Sequence, residues 1–245
     1  MAGAAVLRRL TWLPASVAEV RAETPRVRTL VLDVPGWPGH LAGQHLDVRL
    51  TAEDGYTAER SYSLASPPED GRVVLGVERV EDGEVSTYLV DEVRPGDRLE
   101  VRGPVGGYFV WTSETGGPLL LVGGGSGIVP LMSILRHRLA SGSDAGVRLL
   151  VSWRTPEDVV YADELRRAEE EEGVEVVHTF TRSTPVGWTG FARRIDEEML
   201  REVAWPDGAP PHAYVCGPTG LVEAVASALV ALGNDPSRVR TERFG

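Results

Sequence analysis

The hydrophobic pattern of this chain changes period partway along it, and the two patterns call for two different folds. Up to about residue 110, short runs of β-branched or alternating residues occupy 27–34, 45–50, 73–77 and 98–101. Pro35-Gly36, Asp54-Gly55, Asp70-Gly71, Asp82-Gly83 and Pro95-Gly96 punctuate them as turns. One helix is predicted across 86–93. Strands at this spacing predict an antiparallel β-barrel of Greek-key type. From Pro118 onward, apolar runs at 119–122, 147–152, 174–180, 213–216 and 239–243 alternate with helical patterns at 129–140, 156–171, 195–203 and 221–232. That alternation predicts an α/β, doubly wound parallel sheet. The polar stretch Thr112 to Gly117 is the natural boundary, giving domains of 1–115 and 116–245.

Composition narrows the function classes. The 245 residues are 42% hydrophobic and 25% charged, which suits two folded domains. A net charge of −11 disfavours nucleic acid and anionic membrane as partners. No apolar run approaches the roughly 20 residues of a membrane span. The first 13 residues, with Arg8 and Arg9 in their middle, lack the apolar core of a secretory signal. Cys216 is the single cysteine, so disulfide scaffolds and cysteine-ligated zinc or iron–sulfur centres are excluded. A reducing, cytoplasmic setting is expected. His40, His45, His137, His178 and His212 show no metal-ligand spacing, so no metal site is expected. Every basic side chain is arginine, so any phosphate clamp must be a guanidinium fork or main-chain amides.

Two segments of the first half carry chemistry. In Arg60-Ser61-Tyr62-Ser63, at the end of a β-run, alternate residues share a face, so Arg60 and Tyr62 point together. Arg60 offers a fork to a pyrophosphate, Tyr62 a flat wall for an isoalloxazine ring, and Ser63 a polar neighbour for its N5. Alone, the pattern also suits an ordinary half-exposed strand. Gly83-Glu84-Val85-Ser86-Thr87 opens the predicted helix, whose first amides and partial positive charge suit the other side of a pyrophosphate; a plain helix cap is the alternative. Between them, Val77-Glu78-Arg79 ends a strand that borders the adenosine half in this reading, with Val77 and Arg79 as the expected contacts.

The second half carries a dinucleotide signature. The run 119–122 leads into Gly123-Gly124-Gly125-Ser126-Gly127-Ile128-Val129-Pro130. Glycines permit close approach of main chain to phosphate, and Pro130 in the first helical turn forfeits no needed donor. Ile128 stands where a G-x-G-x-x-G fingerprint has its last glycine. The next strand ends at Ser152-Trp153-Arg154, with a basic residue where NAD-selective sites place a carboxylate; with Arg182 after the third strand, this tilts toward NADPH, NADH remaining possible. Glu157 and Asp158 nearby work against that tilt. Cys216-Gly217-Pro218 closes the fourth strand at the crevice edge, where Cys216 reads equally as a small core hydrophobe.

Taken together, RSYS, GEVST, GGGSGIVP, CGP and the final ERFG resemble the ferredoxin–NADP reductase family in that family's order, over nearly the whole chain. The segment TRSTPVGWTGFARRID resembles its bacterial oxygenase-reductase branch. The resemblance implies an N-terminal FAD barrel, a C-terminal NAD(P) domain and hydride transfer from nicotinamide to flavin, followed by single-electron delivery. It implies that Arg60, Ser61, Tyr62 and Ser63 bind FAD, with Gly83, Val85, Ser86 and Thr87 on its phosphates. Gly124, Gly125, Ser126, Gly127, Ile128 and Pro130, with Cys216, Gly217, Pro218 and Thr219, would bind the dinucleotide. Phe244 stands where relatives place an aromatic against the flavin. Ser63, Cys216 and Phe244 are therefore the expected catalytic group. Many oxygenase reductases carry a fused ferredoxin domain needing four cysteines. With one cysteine here, the acceptor, an iron–sulfur protein or oxygenase, is expected in trans. A free flavin reductase and a non-catalytic regulatory module are the alternatives.

Overall fold

The computed structural model describes residues 10–205 and 210–244. The segment read for a secretory signal, with Arg8 and Arg9, lies outside them apart from its last residues.

The first half forms one six-stranded sheet. Its strands are β1 (Leu13–Ala22), β2 (Val27–Asp33), β3 (His45–Thr51), β4 (Thr57–Ser63), β5 (Val73–Glu78) and β6 (Arg98–Val105), in the order β4-β3-β6-β1-β2-β5. All five pairings are antiparallel. A bridge between Leu64 and Leu75 ties the ends of the order together and closes the sheet into a barrel. Period-two alternation turns Leu30, Leu32, Leu46, Val48, Leu75 and Val101 inward, each at most 2% exposed. The helix expected over 86–93 starts two residues earlier: α1 (Glu84–Thr87) runs on into a wider π-turn (Tyr88–Glu92) that plugs the barrel with Val85 and Leu89.

The second half is a five-stranded sheet of β7 (Leu119–Gly124), β8 (Val147–Trp153), β9 (Val174–Phe180), β10 (His212–Pro218) and β11 (Val239–Phe244). The order β11-β10-β7-β8-β9, with every pairing parallel, is doubly wound and reverses between β7 and β10. Helices α2 (Ile128–Ala140) and α3 (Ala162–Ala168) cover one face, α4 (Glu197–Val203) and α5 (Thr219–Ala231) the other. Leu119 and Leu121 of β7 face α2 while Leu120 and Val122 face α4 and α5, so the strand is apolar throughout.

The helix expected over 156–171 is the main departure. A short turn (Pro156–Asp158) is closed by reciprocal Thr155–Asp158 hydrogen bonds, and α3 begins only at Ala162. Between them Val160 and Tyr161 are buried, and Tyr161 adopts φ +60°. Burial of this segment overrides the helical period. The Tyr161 hydroxyl would lie 2.9 Å from a Cβ on Gly76 of the barrel, so a residue without a side chain makes room for it.

The halves are joined tightly. Val27, Ala42, Ala65, Phe109 and Trp111 from the first half share a core with α2. Along one face of α2, Ser133 donates to the Ser66 carbonyl (2.7 Å), Arg136 to the Ala65 carbonyl (2.6 Å), and His137 meets Glu69 (2.6 Å). No helix among the described residues is long and apolar enough to cross a membrane.

Candidate active site between the two sheets

A cavity of about 780 Å³ opens beside β4. Register places Arg60 opposite Val48 and Tyr62 opposite Leu46, so both stand on one face of the strand, and both line the cavity. Tyr62 packs on the barrel core, and burial pushes its hydroxyl up. Arg60 is exposed; its Nη1 donates to its neighbour's carbonyl, Glu59 O (2.6 Å), which leaves further donors facing outward. Ser61 borders the cavity, but its hydroxyl donates to Asp47 (2.7 Å), which also holds Arg102 (2.7 Å). The Ser61 hydroxyl proton is therefore not available to a ligand.

Also on the lining, Gly83 caps α1 where a Cβ would come within 2.4 Å of the Ser86 hydroxyl. That hydroxyl accepts from the Val80 amide (3.2 Å) and donates to the Gly83 carbonyl (3.3 Å), so Ser86 fastens its own loop. Gly83, Val85 and Ser86 line the cavity. Thr87 does not. Val77 and Arg79 are also off the lining: strand alternation buries Val77 in the barrel, and Arg79 is drawn outward to Asp91 (2.8 Å). The residue between them, Glu78, takes the position expected of its neighbours.

A second cavity of about 590 Å³ lies at the carboxyl ends of the parallel strands, at the point where strand order reverses. Gly124, Gly125, Ser126, Ser152, Arg154, Arg182 and Pro218 line it. Gly125 has φ +55°, and Gly124 leaves no space for a Cβ against Leu221 (2.6 Å). The remaining expected residues support this lining from beneath. A Cβ on Gly127 would lie 2.2 Å from the Cys216 carbonyl, so Gly127 permits the loop to sit on β10. Ile128 and Pro130 are buried in the first turn of α2. Gly217 lies against the Gly124 main chain with φ +148°. Thr219 is exposed, and the adjoining Gly220 reaches the cavity in its place.

The two cavities adjoin: Glu78, Ser126 and Phe244 border both. The Ser126 hydroxyl donates to Glu78 (2.6 Å) across the domain boundary, and the Ser63 hydroxyl donates to Glu242 (3.4 Å). Glu242 pairs in register with Cys216. Burial raises the Glu242 carboxyl, opposed in part by Ser63, and burial followed by the charge of Glu242 raises the Cys216 thiol. Cys216 is fully buried beneath the junction rather than on either lining. Sequence reasoning named Glu78 only within the strand end Val77-Glu78-Arg79 and gave no role to Glu242, Arg26 or Arg194. The final ERFG carried Glu242 in plain view, and the alternation of β5 could have exposed Glu78. No local signal marks Arg26.

The arrangement fits a flavin dinucleotide. The first cavity is lined by an arginine, a helix start and an aromatic residue, and it meets the cavity of the glycine turn at a shared aromatic, Phe244.

Residues 14–110 match the oxidoreductase FAD-binding domain and residues 121–227 the oxidoreductase NAD-binding domain. Ferredoxin–NADP reductase B of Sorangium cellulosum is 34% identical over 240 residues, spanning 94% of this chain and 96% of that protein. The ferredoxin–NAD(P)(+) reductase component of the naphthalene 1,2-dioxygenase system of Pseudomonas putida is 29% identical over 202 residues. That match spans 82% of this chain and 60% of the relative's length. The FAD/NAD-binding domain of nitric oxide dioxygenase from Vibrio cholerae superposes with a TM-score of 0.83 at 26% identity, over 95% of this chain and 98% of that one.

Fold and site thus define an FAD-dependent oxidoreductase that uses a nicotinamide dinucleotide. The chain belongs to the ferredoxin–NADP reductase family.

Proposed function

We propose that the protein oxidises NADPH at the second cavity, with FAD held in the first, and passes electrons to a separate redox protein such as a ferredoxin or an oxygenase component. The single observation that carries this reading is the adjacency of the two cavities at Glu78, Ser126 and Phe244. FAD, when bound, would supply the chemistry that couples two-electron oxidation of the nicotinamide to one-electron delivery. The chain supplies position and electrostatics. Arg60 and the first amides of α1 would hold the flavin pyrophosphate. Tyr62 would back the ring system, and Phe244, which borders both cavities, would stand where flavin and nicotinamide are to meet. Ser63 and Glu242 form the polar pair at the junction, where a proton can be held on the Glu242 carboxyl. Cys216 shapes the floor and holds Gly127 in place from below.

Preference for NADPH rests on Arg154, Arg182 and Arg194, which line the second cavity together. The nearby Asp158 is held in its own turn by the Thr155 amide (3.0 Å) and hydroxyl (3.1 Å), both on one carboxylate oxygen, and remains, among the described residues, the one carboxylate beside these arginines at this end of the cavity. The test is a visible spectrum of the purified protein, then anaerobic addition of NADPH or NADH. Flavin bands that survive gel filtration and bleach at lower NADPH than NADH are expected. Flavin lost on the column would redirect the reading to a reductase that releases its flavin, and no bleaching with either nucleotide would end it.

A further inference from the structure

The second cavity inverts the charge of the molecule. In a chain of net charge −11, its lining gathers Arg26, Arg154, Arg182 and Arg194 against only Glu78 and Asp158. Among the described residues none of these four arginines is in an ion pair, so their charges are not offset by a carboxylate partner. Three of the four come from the nicotinamide half. Arg26 comes from the barrel.

Arg26 sits in the tight connection between β1 and β2. The Thr24 hydroxyl accepts from the Arg26 amide (3.2 Å) and the Val27 amide (3.1 Å), and the Thr24 carbonyl accepts from Arg28 (3.0 Å). The turn is therefore fixed before any ligand arrives. One guanidinium nitrogen of Arg26 donates to the Arg79 carbonyl (3.0 Å), which lays the side chain across the end of β5 and leaves its other N–H groups unassigned. Val27 pairs in register with Glu78, and Glu78 accepts from Ser126 in the glycine turn. Arg26, next to Val27, thus lines from the barrel side the same cavity that Gly125 and Ser126 line from the other half. Arg154 and Arg182, joined by the Arg182 amide to the Arg154 carbonyl (2.9 Å), follow the ends of β8 and β9 instead.

We propose that Arg26 grips the pyrophosphate of the nicotinamide dinucleotide from the flavin domain, so that one ligand is held by both halves. The proposal rests on the dinucleotide reading of this cavity. A pyrophosphate at the Gly125–Gly127 turn lies next to the Glu78 carboxylate, a like charge; a guanidinium on the same wall offsets that repulsion and adds a directed fork. An arginine bridging the halves also favours their closed juxtaposition when the dinucleotide is present.

The test uses the full chain loaded with FAD, as Arg26→Ala and Arg26→Lys. Steady-state kinetics with NADPH and NADH is paired with calorimetric titration of NADP+ and NAD+. The pyrophosphate is common to all four, so Arg26→Ala is expected to raise both KM values and weaken both titrations by a similar factor, about tenfold or more. Arg26→Lys recovers part of the loss, and flavin content and Tm stay at the wild-type values. Unchanged KM and affinity overturn the proposal. An effect confined to NADPH and NADP+ overturns it too, by moving Arg26 to the 2′-phosphate, and loss of FAD overturns it by making Arg26 a barrel residue. Wild-type protein that oxidises neither dinucleotide sinks the underlying reading instead.

Discussion

The Ser63 hydroxyl donates to the Glu242 carboxylate at 3.4 Å, linking residues 179 positions apart in sequence. Ser63 ends barrel strand β4, and Glu242 lies on β11, the edge strand beside the one that carries Cys216. The contact brings the aromatic wall of the flavin cavity and the carboxyl ends of the parallel strands to one place.

Glu242 makes stability depend on pH. Burial raises its carboxyl above the ordinary 4.5. A group raised by folding stabilises the native state fully below its unfolded value, and that contribution is lost as pH rises through the native value. Ionised Glu242 is therefore a cost at pH 8. Glu242→Gln is expected to melt at a higher temperature than wild type at pH 8, with the gap narrowing as pH falls toward 5. Thermal unfolding across that range checks it, and a gap independent of pH would contradict the assignment.

Gly127→Ala places a methyl group 2.2 Å from the Cys216 carbonyl, where main chain rather than a flexible side chain must yield. Overpacking of this kind costs about 1–3 kcal/mol. Because the displaced segment is the dinucleotide loop, KM for NADPH and NADH should both rise while FAD remains bound. Denaturant unfolding and steady-state kinetics measure the two effects.

Arg60→Ala removes the cation of the first cavity and leaves Tyr62 in place. Retention of FAD should fall about tenfold or more, the loss of a charge-assisted fork, and the purified protein should be pale. The ratio of flavin to protein absorbance after gel filtration reports it. Full flavin content would remove Arg60 from the site.

Arg154→Ala should raise KM for NADPH about tenfold and change KM for NADH little, because only the former carries a 2′-phosphate. Equal effects on the two nucleotides would place Arg154 elsewhere on the ligand.

Local pattern alone determined a good deal of this protein. Alternation over 27–34 and 45–50 reports strands with one face in a barrel, and the run 119–122 before a glycine turn reports a buried parallel strand, because side-chain period follows directly from backbone geometry. The shared face of Arg60 and Tyr62 has the same origin. Tertiary structure decided the rest. Whether Val77 or Glu78 faces the ligand depends on which side of β5 becomes core, and the break at Val160 and Tyr161 depends on a glycine in another domain. Ser63 with Glu242, and Ser126 with Glu78, join elements far apart in sequence. No periodicity records such pairs, because they exist only once two separately built sheets have been packed against each other.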